Sequence, residues 1–543
     1  MSEPGIPPVP DVTVVVAVYN TMPYLTECLD SLVRQSIGVE RLQIVAVDDG
    51  STDGSGAELD RFASLHPRTF TVVHQANSGG PAAPSNRALD LATGRYVFFI
   101  GSDDHLGDEA LERMVAYADE HGSDVVVGKM VGVNGRYVHQ ALYRKTDPDV
   151  GLFDSAMPFT LANTKLFRRA LVEKYGLRFP EDLPVGSDQP FTIEACVRAA
   201  KISVLADYTY YYAVKRADAG NITYRANHLS RLECTARIMH HAAGLIPPGR
   251  DRDALFKRHF QWEIAKLVQA DFARLDTATQ AAVCDGIASL ADAYLTDALR
   301  DSLDVKRRVR VVLAQHRAVS LLNKTITAVH GAPPFLLDGG RAYACYPGLR
   351  DPEADLPDEA FELIGEAVPG RLAQGTKVLS LGWELEGNRL ALAAEVHMGI
   401  VGDAASAVLR LADRAMPATA DKPGALRLKP DKQLPRPDGT FTTEALPDAR
   451  GTVLRARVPI ELDKATRGVR LYVDVAGSTY EIPLQPRDRG LPLPCDWRGF
   501  KASLRVNGKK RLVVDTAPSW ESSPAATARV RRGLSRLRKK TKR

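Results

Sequence analysis

Apolar positions along the first hundred residues follow two alternating rules. Residues 12–20, VTVVVAVYN, are almost continuously apolar, as in a strand covered on both faces. The next stretch, TMPYLTECLDSLVRQSI, puts Leu25, Cys28, Leu29, Leu32 and Val33 at helical spacing and predicts a helix with one apolar face. LQIVAVDDGSTDGSG is a second strand that runs out into acids and glycines. A polar helix over 54–65, a third strand FTVVH, a helix in PSNRALDLA and a fourth strand YVFFI follow. Strands alternating with helices predict a parallel, doubly wound sheet, whose ligands bind beyond the C-terminal ends of its strands. The acidic clusters VDDGSTD and GSDD both fall at such ends.

The rule changes further along. From about 226 to 330 the pattern turns helical, as in DALFKRHFQWEIAKLVQADFARL, and 331–370 is rich in Pro, Gly and acids, which marks a linker. From about 371 to 515 the period becomes two (RLALAAEVHM, TVLRARVPIEL, GVRLYVDVAG), with Gly, Pro and Asp between, which predicts a β-sandwich. The expected organisation is an α/β domain over 1–225, a helical region over 226–330, the linker, an all-β sandwich of immunoglobulin type over 371–515 and a tail over 516–543.

Composition changes this picture in three places. At 543 residues the chain is too long for one core. Its net charge of +5 is concentrated in the tail, where residues 529–543 carry nine Lys or Arg and no acid; without them, acids outnumber bases by four. The six cysteines are scattered without CxxC spacing, which argues against structural zinc or a disulfide framework and fits a reducing compartment. No apolar run reaches the 18 to 20 or so residues needed to span a bilayer, and MSEPGIPPVPD lacks a signal pattern, so a soluble, cytoplasmic protein is expected.

The acidic clusters carry the chemistry. In VDDGSTD, Asp48, Asp49 and Asp53 could simply build a turn, with an Asp capping a helix and Gly50 supplying positive φ. The functional reading is that a carboxylate at the strand tip bonds a nucleotide base, with Asn20 beside it at the tip of the first strand. Asp103 and Asp104 stand side by side, and two like charges roughly 5 Å apart repel by about 3 kcal/mol at an effective dielectric near 20. A divalent cation with a diphosphate would turn that repulsion into a site, since Mg²⁺ and Mn²⁺ prefer carboxylates together with phosphate oxygens. The glycine fingerprint of dinucleotide oxidoreductases is missing after the first strand, GxxxxGK[ST] is missing throughout, and so is the glycine-rich basic loop of a nucleotidyltransferase.

AVYN, VDDGSTD, NSGGPAAPSN and GSDD, in this order and spacing, resemble the family 2 glycosyltransferases, whose fold is called GT-A. Further stretches, GVNGR, FPEDLPVGSDQPFT and YYYAVKR, resemble the wall-teichoic-acid enzymes that attach N-acetylglucosamine to poly(ribitol phosphate). The resemblance implies roles for residues at matching positions. Tyr19 would stack on uracil and Asp49 would bond it, with Asn20 and Asn77 in the same cleft. Asp103 would meet the metal (Mn²⁺ or Mg²⁺) and the diphosphate, with Asp104 a competing ligand. Arg136 and Arg216 would contact phosphates, and Asp188 would be the general base of an inverting transfer; its plain structural reading is a cap for the helix QPFTIEACVRAA. It also implies a UDP-sugar donor, an anionic polyol-phosphate acceptor and a homo-oligomer, trimeric in the enzymes it resembles.

Two positions depart from the family pattern. Gly101 replaces the first acid of DxDD, and Ser85 replaces an Arg before Asn86, with Arg87 about 200° further round a helix. A hexosyltransferase for another envelope glycan, or a non-catalytic glycan-binding scaffold on a decayed transferase, are the alternatives. The paired His240 and His241 have no third ligand nearby in the sequence, and Tyr208 with Tyr210–Tyr212 is expected in a strand and core. The tail could contact an anionic membrane surface from the cytoplasmic side. No nucleic-acid-binding fold accompanies its charge, and no nucleic-acid partner is expected.

Overall fold

The computed structural model describes residues 9–216, 227–327, 333–338, 341–364, 374–402, 407–413, 426–427, 442–448, 451–475, 478–482, 490–508 and 511–521, together with the single positions 372 and 484. The basic tail and its charge lie outside the described residues. The chain forms two compact units, residues 1–303 and 304–543, and the division falls inside the stretch that reads as helical.

The first unit is built on β1 (Val12–Val18), α1 (Tyr24–Val33), β2 (Leu42–Asp48), α2 (Ser55–Leu65), β3 (Phe70–His74), α3 (Ala82–Asp90) and β4 (Tyr96–Gly101). There follow β5 (His105–Leu106), α4 (Ala110–His121), β6 (Val125–Gly128), β7 (Met130–Val133), β8 (Leu166–Arg168), α5 (Arg169–Lys174), α6 (Asp188–Arg198), β9 (Ile202–Leu205) and β10 (Tyr211–Val214). The central seven-stranded sheet runs β3-β2-β1-β4-β8-β6-β9. All its pairings are parallel except those of β8, which lies antiparallel between β4 and β6. Strand order reverses direction between β1 and β4, and this is the switch point at which open α/β sheets bind ligands.

Continuous apolar runs are explained by burial on both faces. Val12, Val14, Val16, Tyr96, Phe98 and Ile100 pack on one side with the inner faces of α1 and α4; Val15, Val97 and Phe99 pack on the other with Phe167, Phe179 and Phe191. A second, small sheet, β5-β10-β7, carries the tyrosine run: Tyr210 and Tyr211 are buried, and Tyr212 stacks on His105 at 4.7 Å between ring centroids. Beyond Asn227 the first unit is helical, including His228–Leu245, Arg250–Arg258 and Thr277–Tyr294, with one π-helical turn at His259–Ile264.

In the second unit, helices Val305–Gln315 and Val319–Thr327 lead into all-β structure. The stretch whose composition marks a linker holds two paired strands, Phe335–Asp338 and Arg341–Ala344; the first also pairs with Ile400–Gly402. Lys377–Glu386, Arg389–Met398, Gly451–Pro459 and Thr442–Asp448 form an antiparallel sheet. The period of two is visible in it: Leu454, Ala456 and Val458 are buried while Arg455 and Arg457 face out. A second sheet is organised around Ala465–Val475, which pairs with Ala407–Asp413, Ser478–Ile482 and Leu512–Pro518.

Candidate active site

Register places the tips of β1, β2 and β4 side by side, with Val18 opposite Asp48 and Ala17 opposite Gly101. Tyr19 lies at the end of β1, 45% exposed, so its ring is available to a flat ligand. Asn20 adopts positive φ, and its Oδ1 accepts from the Thr52 N–H at 2.8 Å, tying the tips of β1 and β2 together. The three acids after β2 divide their work. Asp48 accepts from Ser51 N–H and pairs with His74; Asp53 accepts from Met22 N–H and from Ser55 at the start of α2. These two are turn-builders. Asp49, 2% exposed, holds the loop after β3: its Oδ1 accepts from Gln75 Nε2 at 2.7 Å, and its Oδ2 from Ser78 Oγ at 2.9 Å, while Ser78 N–H lies 3.1 Å from both. Asn77 sits over Gly50, where an added Cβ would meet the Asn77 nitrogen at 2.8 Å, so a glycine with φ +78° is required there.

The acid loop after β4 is asymmetric. Asp104 Oδ2 accepts from Tyr211 Oη at 2.5 Å and Oδ1 from Val214 N–H at 2.7 Å. Burial, followed by the charge of Asp103, pushes its carboxyl up to about 7. Arg136 acts on Asp104 in the opposite sense and is itself solvent-exposed, on the turn after β7. Arg216 donates to the Asn20 carbonyl at 2.9 Å and lies over the Tyr24 ring. The structure therefore gathers Asn20, Asp103, Asp104, Arg136 and Arg216 around the tips of β1 and β4.

A divalent cation fits this donor set through Asp103. Both oxygens of Asp104 already accept protein hydrogen bonds, and among the described residues no three His, Cys, Asp or Glu side chains are grouped to hold a metal. One or two carboxylates completed by phosphate oxygens and water is the usual coordination of Mg²⁺ in nucleotide sites.

Asp188 is the first residue of α6 rather than the residue before it; the cap position is Ser187. Its carboxylate lies where the positive end of the helix favours an anion. Burial nevertheless pushes its carboxyl up, against the pull of Arg258 and then Lys165. Lys165 is fully buried, donates to the Thr160 and Ala162 carbonyls, and is drawn down to about 8 by burial. Arg258, the last residue of the helix Arg250–Arg258, bonds Gln189 Oε1 at 2.8 Å and Glu263 at 3.1 Å. The helix is seated by Phe191, whose ring stacks on Phe179 at 4.4 Å and meets Phe99 and Phe167 edge-on at 5.3 Å. The loop leading to it is clamped by buried Asn86, which donates to the Phe179 carbonyl and to Glu181 and accepts from Phe179 N–H, each at 2.9 Å.

Lys165, Arg258 and Asn86 are residues near the site to which the sequence assigned no role, and Tyr211, expected in a strand and core, also bonds the acid loop. Asn86 had a signal in its place in NSGGPAAPSN, and Tyr211 in its place in YYYAVKR. Ser85 is buried and Arg87 points to solvent, so Arg87 does not take the place of the family's arginine.

The family model for glycosyl transferase family 2 matches residues 13–177, the span that holds the tips of β1, β2 and β4 with Asp103, Asp104 and Arg136, while Asp188, Tyr211, Val214 and Arg216 lie beyond it. Residues 13–177 are a family 2 glycosyltransferase domain. The family model for the glycosyl transferase TarS linker domain matches residues 234–326. Among curated relatives of the family 2 domain, the poly(ribitol-phosphate) beta-glucosyltransferase of Bacillus spizizenii is 43% identical over 205 residues, 38% of this chain and 32% of the relative. The poly(ribitol-phosphate) beta-N-acetylglucosaminyltransferase TarS of Staphylococcus aureus strain Mu50 is 42% identical over 204 residues, 38% of this chain and 35% of the relative. The chain thus spans about a third of the length of these two relatives. The crystal structure of S. aureus TarS 1–349 in complex with UDP-GlcNAc superposes with a TM-score of 0.56 at 29% identity, over 65% of this chain and 99% of that one. The family 2 domain accounts for the mainly parallel sheet, and the TarS linker domain for most of the helical stretch.

Proposed function

We propose that the protein is an inverting glycosyltransferase that moves a sugar from a UDP-sugar to a polyol-phosphate polymer of the teichoic-acid type. One arrangement carries the reading: a carboxylate pair at the switch point between β1 and β4, and apart from it a half-buried carboxylate, Asp188, within electrostatic reach of Arg258 and Lys165. The relatives named for poly(ribitol phosphate), and the TarS structure with UDP-GlcNAc, support the donor and acceptor classes.

In this reading Tyr19 stacks on uracil, Asp49 and Asn77 line the nucleoside cleft beside Asn20, and Arg136 and Arg216 bind phosphates. Asp188 takes the proton of the acceptor hydroxyl as that oxygen attacks the anomeric carbon. The bond from this carbon to the UDP oxygen breaks, the electron pair leaves with UDP, and the configuration inverts. A Mn²⁺ or Mg²⁺ ion held by Asp103, with Asp104 behind it, would neutralise the departing diphosphate. Lys165 and Arg258 act against the burial that raises the Asp188 carboxyl, and so favour its ionised form.

Donor sugar is the finer question, and glucose and N-acetylglucosamine are both represented among the relatives. We favour N-acetylglucosamine on the stretches that resemble the teichoic-acid enzymes. The C-terminal sheets, read as an immunoglobulin-like sandwich, would serve self-association into a trimer or glycan binding. No helix among the described residues is long and apolar enough to cross a membrane; a cytoplasmic enzyme, held at the inner membrane face by its basic tail, completes the proposal. The test is incubation of the full chain with a panel of UDP-sugars, Mn²⁺ and poly(ribitol phosphate). Sugar retained on the polymer by wild type and lost in Asp188→Asn is expected; no UDP released from any donor would refute the reading in favour of a scaffold.

A further inference from the structure

The acid loop is closed from behind by a side chain to which no role has so far been given. Tyr211 in β10 is 2% exposed, and its hydroxyl sits between two groups of the loop. It donates to Asp104 Oδ2 at 2.5 Å and accepts from the Gly101 N–H at 3.0 Å. The same strand supplies the Val214 N–H to the other oxygen of Asp104. Pairing of β10 with β5 puts Tyr211 opposite Leu106, two residues beyond the acid pair, so the hydroxyl is held by sheet geometry as well as by its own bonds. The ring rests against Phe98, on the strand that delivers the loop.

Gly101 belongs to the same arrangement. A Cβ built on it would lie 2.9 Å from Asp104 Oδ2, 3.2 Å from Asp103 Oδ1 and 3.4 Å from Tyr211 Oη. A side chain at 101 would thus be crowded by two carboxylate oxygens, with the tyrosine hydroxyl in ordinary contact beside them. A bare backbone at 101 is what lets the tyrosine hydroxyl reach the loop N–H and the two carboxylates draw in over it.

We infer that Tyr211 is a positioning residue of the diphosphate site. Its hydroxyl bonds Asp104 Oδ2 and the Gly101 N–H together, and so fixes the acid loop on which the cation and diphosphate would be received. Glycine at 101 is then one half of a matched pair, and its presence is no sign of decay. The inference rests on the transferase reading above, and it concerns how the loop is held rather than which atoms react.

Tyr211→Phe keeps the ring in the core and removes only the hydroxyl. UDP affinity is measured by calorimetry on the full chain with and without Mn²⁺, and the melting temperature is followed in parallel. Loss of a hydrogen bond to a charged group predicts that the gain in UDP affinity conferred by Mn²⁺ falls about 10- to 100-fold, while metal-free affinity stays near wild type. Gly101→Ala, which forces a methyl among the three oxygens, should reduce the same gain. Losses in the double variant should be smaller than the two singles combined, because both changes act on Asp104 Oδ2, which the hydroxyl bonds and the methyl would crowd. A purely structural role would lower the melting temperature and leave the Mn²⁺ gain unchanged in both variants; that result overturns the inference and spares the transferase reading. Should wild type fail to bind UDP under either condition, the parent reading falls and the inference with it.

Discussion

Replacing Phe191 by alanine tests whether the aromatic cluster under α6 positions the proposed base. Phe191 is 1% exposed and contacts three other rings, one stacked and two edge-on. A buried Phe→Ala change costs about 3 to 5 kcal/mol. Three aromatic partners, each adding roughly 0.5 to 1.5 kcal/mol beyond burial, place this one at the upper end. Against a total stability of about 5 to 15 kcal/mol, the variant should still fold at low temperature. Asp188 stands one helical turn ahead on the same helix, and a displacement near 1 Å at a reacting group costs on the order of 10²-fold in rate. The assay is urea unfolding of the full chain, together with single-turnover transfer at a temperature where circular dichroism shows the variant folded. We expect turnover to drop about 10²-fold with UDP affinity unchanged, and Phe191→Leu to recover most of both losses. A Phe191→Ala protein that loses stability but keeps wild-type turnover would refute the link between the cluster and the base.

Asp188→Asn should cut turnover by roughly 10² to 10⁴ while leaving UDP affinity in Mn²⁺ nearly unchanged, as read by kinetics and calorimetry. Because the folded-state pKa of Asp188 is raised, its stabilising contribution is complete below the unfolded carboxylate value and lost as pH rises through the folded one. Asp188→Asn should therefore match wild type in acid and melt higher at neutral pH. The acid limb of the wild-type rate profile should lie above the usual carboxylate range, and Lys165→Met should move it higher still, which a pH–kcat series will show. Asn86→Ala, which strips three hydrogen bonds from a buried loop, should destabilise by about 1 to 3 kcal/mol and lower kcat more than it raises KM for UDP-sugar.

Much of the first unit was legible because its signals are local. The unbroken apolar run YVFFI is a strand with both faces covered, and FTVVH is the strand Phe70–His74. What escaped depends on contacts between distant residues. Tyr211 and Asp104 are 107 positions apart, Asn86 and Phe179 are 93 apart, and nothing in either neighbourhood announces its partner. The antiparallel β8 was missed for a similar reason: three residues, LFR, carry too little periodicity to reveal a strand or its direction. Pro, Gly and acids in 331–370 concealed two four-residue strands, since composition reports the turns around a short strand more strongly than the strand itself. The π-helical turn that follows Arg258 is likewise invisible to a 3.6-residue period.

On the proposed reading, Asp49 would give the nucleoside cleft an unusual starting condition. Its carboxylate already accepts from Gln75 and Ser78, so a uracil seeking those oxygens meets an internal competitor on the enzyme's own loop. Donor affinity then becomes a difference between two sets of hydrogen bonds, and residues that never touch the nucleotide can tune it. A weaker loop would tighten donor capture and slow the release of UDP; a stronger one would do the reverse. In the proposed transfer to a polymer, turnover would depend on repeated exchange of spent UDP for fresh donor, and Ser78, which bonds Asp49 through both its N–H and its hydroxyl, is one position that would set the rate.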